Sequence, residues 1–164
     1  MANPLTQVTD ALWDMLEANS AFTLLVPVSN RIKYDNPHPE KRNVMKADFP
    51  EVRIREYSTN TNIHRTSNSV TFAKQYHVQI ATGTQSLVSV HDVEWEILRS
   101  FAGWTTTLEA LTWDQDASQF VKRADLANAQ QTLESQEANR GIKGWVTVMV
   151  AEVEFWFDNT LIPA

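Results

Sequence analysis

Trp145-Val146-Thr147-Val148-Met149-Val150-Ala151-Glu152-Val153-Glu154-Phe155-Trp156-Phe157 is the stretch on which the fold turns. Val, Thr and aromatic side chains dominate it, and β-branched or ring residues fit an extended, pleated backbone. It reads as the central or longest strand of a sheet, opened by Gly141 and Gly144. Alternation divides it into two faces. Trp145, Thr147, Met149, Ala151, Val153, Phe155 and Phe157 form a nearly all-apolar side. Val146, Val148 and Val150, then Glu152, Glu154 and Trp156, form the other. A solvated face would be polar throughout. Half of this one is apolar, so another element or a neighbouring subunit is expected to cover it.

Upstream, the chain reads as alternating helices and strands. Asn3-Pro4 opens a helix, Asn as cap and Pro at the first helical position, where its missing N–H costs nothing. Val8, Ala11, Leu12, Met15 and Leu16 carry that helix from Pro4 to Ala18. A shorter apolar run, Ala21 to Leu25, ends at Val26-Pro27, since a residue before proline is pushed out of the helical region. Asn30 to Pro50, with Pro37, Pro39 and Pro50, reads as a long exposed loop, its ordering before assembly left open over Asp35 to Pro50. Val52 and Ile54 alternate with Arg53 and Arg55 in a strand from Glu51 to Tyr57. Ser58 to Ser69 reads as a polar hairpin tip, and Thr71 to Ala81 as the returning strand. In that strand Phe72, Tyr76, Val78 and Ile80 share one face.

Ser89 and Asp92 resemble a capping box at the start of a helix from Val88 to Phe101. Val90, Val93, Ile97, Leu98 and Phe101 form its apolar stripe, and Gly103 ends it. Phe120-Val121 reads as a short strand. Asp125 to Arg140, rich in Ala, Gln, Leu and Glu, reads either as a surface helix or as an ordered loop. The expectation is α+β: an antiparallel sheet of about four strands, two main helices on one face, and a long polar hairpin loop.

The 164 residues suit a single domain spanning 1–164. Apolar content of 43% and charged content of 21% are ordinary for a soluble chain. A net charge of -6 argues against a surface built to grip nucleic-acid phosphates, though not against DNA that merely passes by. Without cysteine there are neither disulfides nor thiolate metal sites. No leader pattern or run of roughly twenty apolar residues is present, so the expected compartment is intracellular. Six Trp are a generous supply for core and interface alike.

Chemistry is sparse. His38, His64, His77 and His91 are dispersed, with no metal-ligand spacing among them, and no phosphate loop, nucleophile elbow or dinucleotide fingerprint occurs. His91-Asp92 fits the first turn of a helix, where Asp favours the positive dipole end. Glu152 and Glu154 share a strand face, as a glycosidase acid and base would. A cross-strand match with Arg53 and Arg55 is the simpler reading. Glu94 falls within the helix stripe, and either reaches water at its edge or forms an ion pair with another subunit. No cofactor and no metal are expected, and no catalytic residue is assigned.

Leu12 to Phe22, then Asn30-Arg31-Ile32-Lys33-Tyr34, then Asp48-Phe49-Pro50-Glu51-Val52-Arg53-Ile54, resemble the opening of tailed-bacteriophage tail-terminator or tail-completion proteins. The strand ending near Ile80, the helix from Val88 to Phe101 and the aromatic closing strand fit the same order. The polar stretch Ser58 to Ser69 and the segment Asp125 to Arg140 depart from the compact pattern of that family. The resemblance implies a structural protein of the virion head–tail junction, present in the host cytoplasm during assembly. It implies a homo-oligomeric ring, usually hexameric, meeting a tail-tube protein on one side and a head-connector protein on the other, with DNA passing through. The alternatives are a related neck protein, a small intracellular hydrolase using Glu152 and Glu154 or His91, and a monomeric binding module. For a ring, the interface candidates are Val146, Val148, Val150, Glu152, Glu154, Trp156, Arg53, Arg55 and Glu94.

Overall fold

The computed structural model describes residues 3–33, 49–57, 64–66, 69–81, 87–112, 119–136 and 142–158, with the backbone alone at 57, 64–65, 87, 125–136, 142–148 and 158. The expected polar loops, Asp35 to Pro50 and Ser58 to Ser69, lie mostly outside these residues.

Helix α1, Pro4–Glu17, starts where Asn3-Pro4 predicts: Asn3 Oδ1 accepts the Thr6 N–H at 3.0 Å. Helix α2, Ser20–Leu25, ends as Val26 turns extended before Pro27. A 3-10 turn at Val28–Asn30 leads into a two-residue strand, β1, Arg31–Ile32. Asn30 to Ile32, expected to open the exposed loop, are therefore structured instead. Arg31 explains this. Its guanidinium is almost buried and donates to the Val26 carbonyl (2.9 Å), the Thr23 carbonyl (3.4 Å) and Glu17 (3.4 Å), pinning the segment to α1 and α2. Lys33 reaches the same Glu17 at 2.8 Å, and together the cations hold the Glu17 carboxyl below its ordinary pKa, Lys33 most strongly.

Strand β2 spans Glu51–Tyr57 as expected, β3 is His64–Arg65, and β4 is Ser69–Ala81. Helix α3 spans Leu87–Ser100, so Ser89 sits inside it rather than capping it. A further helix, α4, Trp104–Glu109, has Gly103 at its N-cap position. Asp125 to Arg140 is neither surface helix nor loop over its described part. It belongs to strand β5, Val121–Gln136, which pairs antiparallel with β6, Ile142–Asp158, almost from end to end. Helix propensity here is a few tenths of a kcal/mol per residue, and a continuous ladder outweighs it.

The sheet runs β1-β2-β4-β6-β5, with β3 beside β4 in the lane that β2 leaves at Tyr57. Among the described strands only β1 pairs in parallel, with β2. Among the described residues four long strands make the sheet, as expected, and two short ones extend it. The strand β6 is the longest of them and is interior, flanked by β4 and β5.

One sheet face carries the core. Val52 and Ile54, then Tyr76, Val78 and Ile80, then Met149, Ala151, Val153, Phe155 and Phe157 pack in one cluster with the apolar faces of α1, α3 and α4. Phe155 is sealed by parallel rings, stacking on Phe72 at 5.0 Å, Phe120 at 6.2 Å and Phe157 at 6.4 Å. At the rim, Lys74 and Thr9 both reach Glu56, at 2.9 and 3.2 Å.

Tyr76 is fully buried, and its hydroxyl has no hydrogen-bond partner among the described residues. Burial, aided by the Glu56 charge, pushes its phenol pKa far above the ordinary value. A buried, unpaired hydroxyl costs about 1–3 kcal/mol. Tyr76→Phe is therefore expected to stabilise the protein by about 1 kcal/mol, raising Tm by about 2–4 °C in a thermal melt followed by circular dichroism.

Candidate functional site

The second face of the sheet has no described helix on it, and there the expected interface residues gather. The chain places Arg53 and Arg55 on β2, Gln75, His77 and Gln79 on β4, and Val150, Glu152 and Glu154 on β6, all half-buried. Trp156 follows on the same alternation and is 37% exposed. Val146 and Val148 continue β6 in register with Ala81 and Gln79. Of the nine expected residues, eight thus belong to one sheet surface by strand and register.

The expected pairing of arginines with glutamates is not made directly, because β4 lies between β2 and β6. Arg53 stands opposite Gln79, and Arg55 opposite His77. The charges find other partners. Arg53 is bridged by Glu51 of its own strand. Glu154 meets Lys122 at 3.4 Å and is in register with Arg123. Glu152 accepts from the Gln75 amide at 3.5 Å. The face therefore runs from basic at β2, through amides and imidazole on β4, to acidic at β6.

His77 sits at the middle of this gradient, its Nε2 3.3 Å from Gln75 Oε1. Burial pulls its imidazole pKa below 6.5. The unfolded chain then binds the proton more readily than the folded one as pH falls through that value, so acidification costs stability. His77→Gln is expected to flatten the pH dependence of the denaturation midpoint between about pH 7 and pH 5, as urea titrations would measure.

Glu94, the ninth expected residue, is not on this face. It lies half-exposed at the margin of the α3 stripe. The buried acid is Glu96, at 9% exposure, which sequence reading passed over. Its carboxylate accepts from Asn19 Nδ2 at 3.0 Å and Arg99 Nη1 at 3.0 Å. Asn19 also caps α2, accepting from the Ala21 and Phe22 N–H groups, so one amide ties α2 to α3. Leu98, expected in the core stripe, is 38% exposed, and Trp95 is 60% exposed. Wheel arithmetic carries the signal for Trp95. With Val90, Val93, Ile97 and Phe101 inward, residues 88 and 95 fall on the opposite pole of the helix.

Among the described residues the geometry brings together little that could act in catalysis. An open depression of about 520 Å³ is lined by Glu109, Gln119, Phe120, Val121, Lys122 and Trp156, not by Glu152, Glu154 or His91. His91 and Asp92 are both exposed near the start of α3. Among the described residues no group of three His, Asp or Glu could hold a metal ion, and no helix is long and apolar enough to cross a membrane.

No protein-family model matches the chain, and no curated protein matches it in sequence. Among solved structures it is similar to a chain from the virion of a native gene transfer agent particle, with a TM-score of 0.55 and 8% identity. The match covers 91% of this chain and 94% of that one, so the likeness is one of fold and extends over nearly the whole of both.

Proposed function

We propose that this is a structural virion protein, a ring-forming tail terminator or tail-completion subunit. It caps the tail tube and joins it to the head connector, without catalysis. The observation that carries the reading is the end-to-end fold match to a chain of a gene transfer agent virion. It agrees with the order of elements that resembles the tail-terminator family. The sheet surface without a described helix, bearing Arg53, Arg55, Val150, Glu152, Glu154 and Trp156, supplies the subunit interface, with Val146 and Val148 continuing it. The net charge of -6 suits a lumen through which DNA moves without sticking.

The mass of the purified protein over a wide concentration range tests the oligomeric part of the proposal. A closed oligomer with the mass of a small ring, six copies by the family pattern, is the expected species, measured by native mass spectrometry. A monomer that persists at high concentration and in the presence of tail tubes overturns it. Rings that bind isolated head connectors but never tube ends would move the assignment to a neck protein.

A further inference from the structure

The segment 26–33, which carries the 3-10 turn and β1, is held to the rest of the molecule more by charge than by apolar contact. Val26 is its only fully buried apolar residue, while Pro27, Val28 and Ser29 are exposed. The sheet holds it through two register pairs, Arg31 with Val52 and Ile32 with Arg53. Little apolar burial and so short a ladder put a segment at the low end of local stability.

Its remaining fastening converges on one carboxylate. Glu17 Oε1 takes Arg31 Nη1 at 3.4 Å, and Glu17 Oε2 takes Lys33 Nζ at 2.8 Å. The Arg31 side chain is 7% exposed, and among the described residues Glu17 is the one carboxylate it meets. Its other donations go to the neutral carbonyls of Val26 and Thr23. The two cations also lie over aromatic rings of the helices, Arg31 over Phe22 and Lys33 over Trp13, each 5.8 Å from the ring centroid. Removing the carboxylate would leave a nearly buried guanidinium uncompensated, a loss that the small apolar contact of the segment does not offset. The lowered pKa of Glu17 has the same origin, since cations that keep the carboxylate charged are in turn held by it.

We propose that residues 26–33 form a strap that opens and closes as one unit over the outer edge of β2, with Glu17 as its latch. Closed, β1 fills that edge at Val52 and Arg53 from within the chain and blunts it against strand pairing. Open, the strap bares that edge and the Val26 side chain, while the helices and the long strands stay folded. The device belongs to the single chain and does not rest on the ring reading, so a folded monomer is enough to test it.

The chain has no native cysteine, so thiol labelling reports the opening directly. Val26→Cys marks the strap, and Val78→Cys, fully buried on β4, marks the core. Each is made alone and together with Glu17→Gln, and is reacted with a chromogenic disulfide reagent at neutral pH. Without Glu17→Gln both thiols are expected to label slowly, Val26→Cys the faster. Adding Glu17→Gln is expected to speed Val26→Cys by about 10–100-fold and to leave Val78→Cys at least about tenfold slower than it. Hydrogen exchange on chains that keep Val26 and Val78 gives the same comparison without a new thiol in the core. With Glu17→Gln, amides over 27–33 should lose their protection while those of β4 and β6 keep theirs. A strap that labels and exchanges no faster with Glu17→Gln overturns the latch. Strap and core opening at equal rates in that background overturns the independent movement.

Discussion

Phe155→Ala is expected to cost about 4 kcal/mol, the largest effect of any single truncation in this core. Phe155 is fully buried, and removing its ring leaves a cavity bounded by three aromatic planes. These planes belong to β4, to β6 and to the segment before β5, whose Phe120 carbonyl also accepts the Trp156 N–H at 2.8 Å. Rings held by three backbone segments collapse poorly into a void, which places the cost near the upper part of the Phe→Ala range. Loss of stacking with Phe72, Phe120 and Phe157 adds to the transfer term. A domain of ordinary stability has about 5–15 kcal/mol in total, so the variant should be marginal at 37 °C. Urea denaturation followed by Trp fluorescence measures it. Phe155→Leu, which keeps most of the volume, should cost clearly less, and equal costs would refute the cavity argument.

Asn19→Ala is the second large loss, about 2–4 kcal/mol. An N-cap alone is worth about 1 kcal/mol. The same amide donates to the Glu96 carbonyl (3.1 Å), the Glu96 carboxylate (3.0 Å) and Ser100 Oγ (3.0 Å). Truncation removes a donor from a nearly buried carboxylate, which costs a further 1–3 kcal/mol or so. Asn19→Asp separates the two contributions. Aspartate caps a helix as well as asparagine does, so capping alone predicts no loss. Here it would place a second carboxylate against Glu96, and a loss comparable to that of Asn19→Ala is expected. Glu96→Gln in the same chain should recover much of it. Guanidinium melts of the four chains test this, and a neutral Asn19→Asp would show that the link to Glu96 contributes nothing.

Much of the architecture was legible because local signals and tertiary structure agree. The alternation of Thr71 to Ala81 and of Trp145 to Phe157 matches strands with one face on the core. Asn3-Pro4 and Val26-Pro27 act through backbone chemistry that tertiary contacts do not override. The misreadings share a different physics. For Asp125 to Gln136 composition favours a helix, and only the partner strand β6 settles the matter. A six-residue helix such as Trp104–Glu109 is too short for periodicity to stand out, and it exists because Trp104 and Leu108 reach the core. Glu96 looks like an ordinary helix-surface acid until α2 brings Asn19 beside it. The strand order is non-local as well, so the interposition of β4 between the arginines and Glu152 and Glu154 was not readable from spacing. The candidate surface itself was half legible. Period-two arithmetic gathered the sheet residues, while the outward Trp95 needed the core side of α3 to be known first.

Electron microscopy of the purified protein mixed with isolated tail tubes tests the central claim most directly. Ring-shaped density capping one end of each tube, in the wild-type protein and lost with Arg55→Glu, is the predicted result. Tube ends left bare at saturating protein, with the chain remaining a folded monomer, would contradict it.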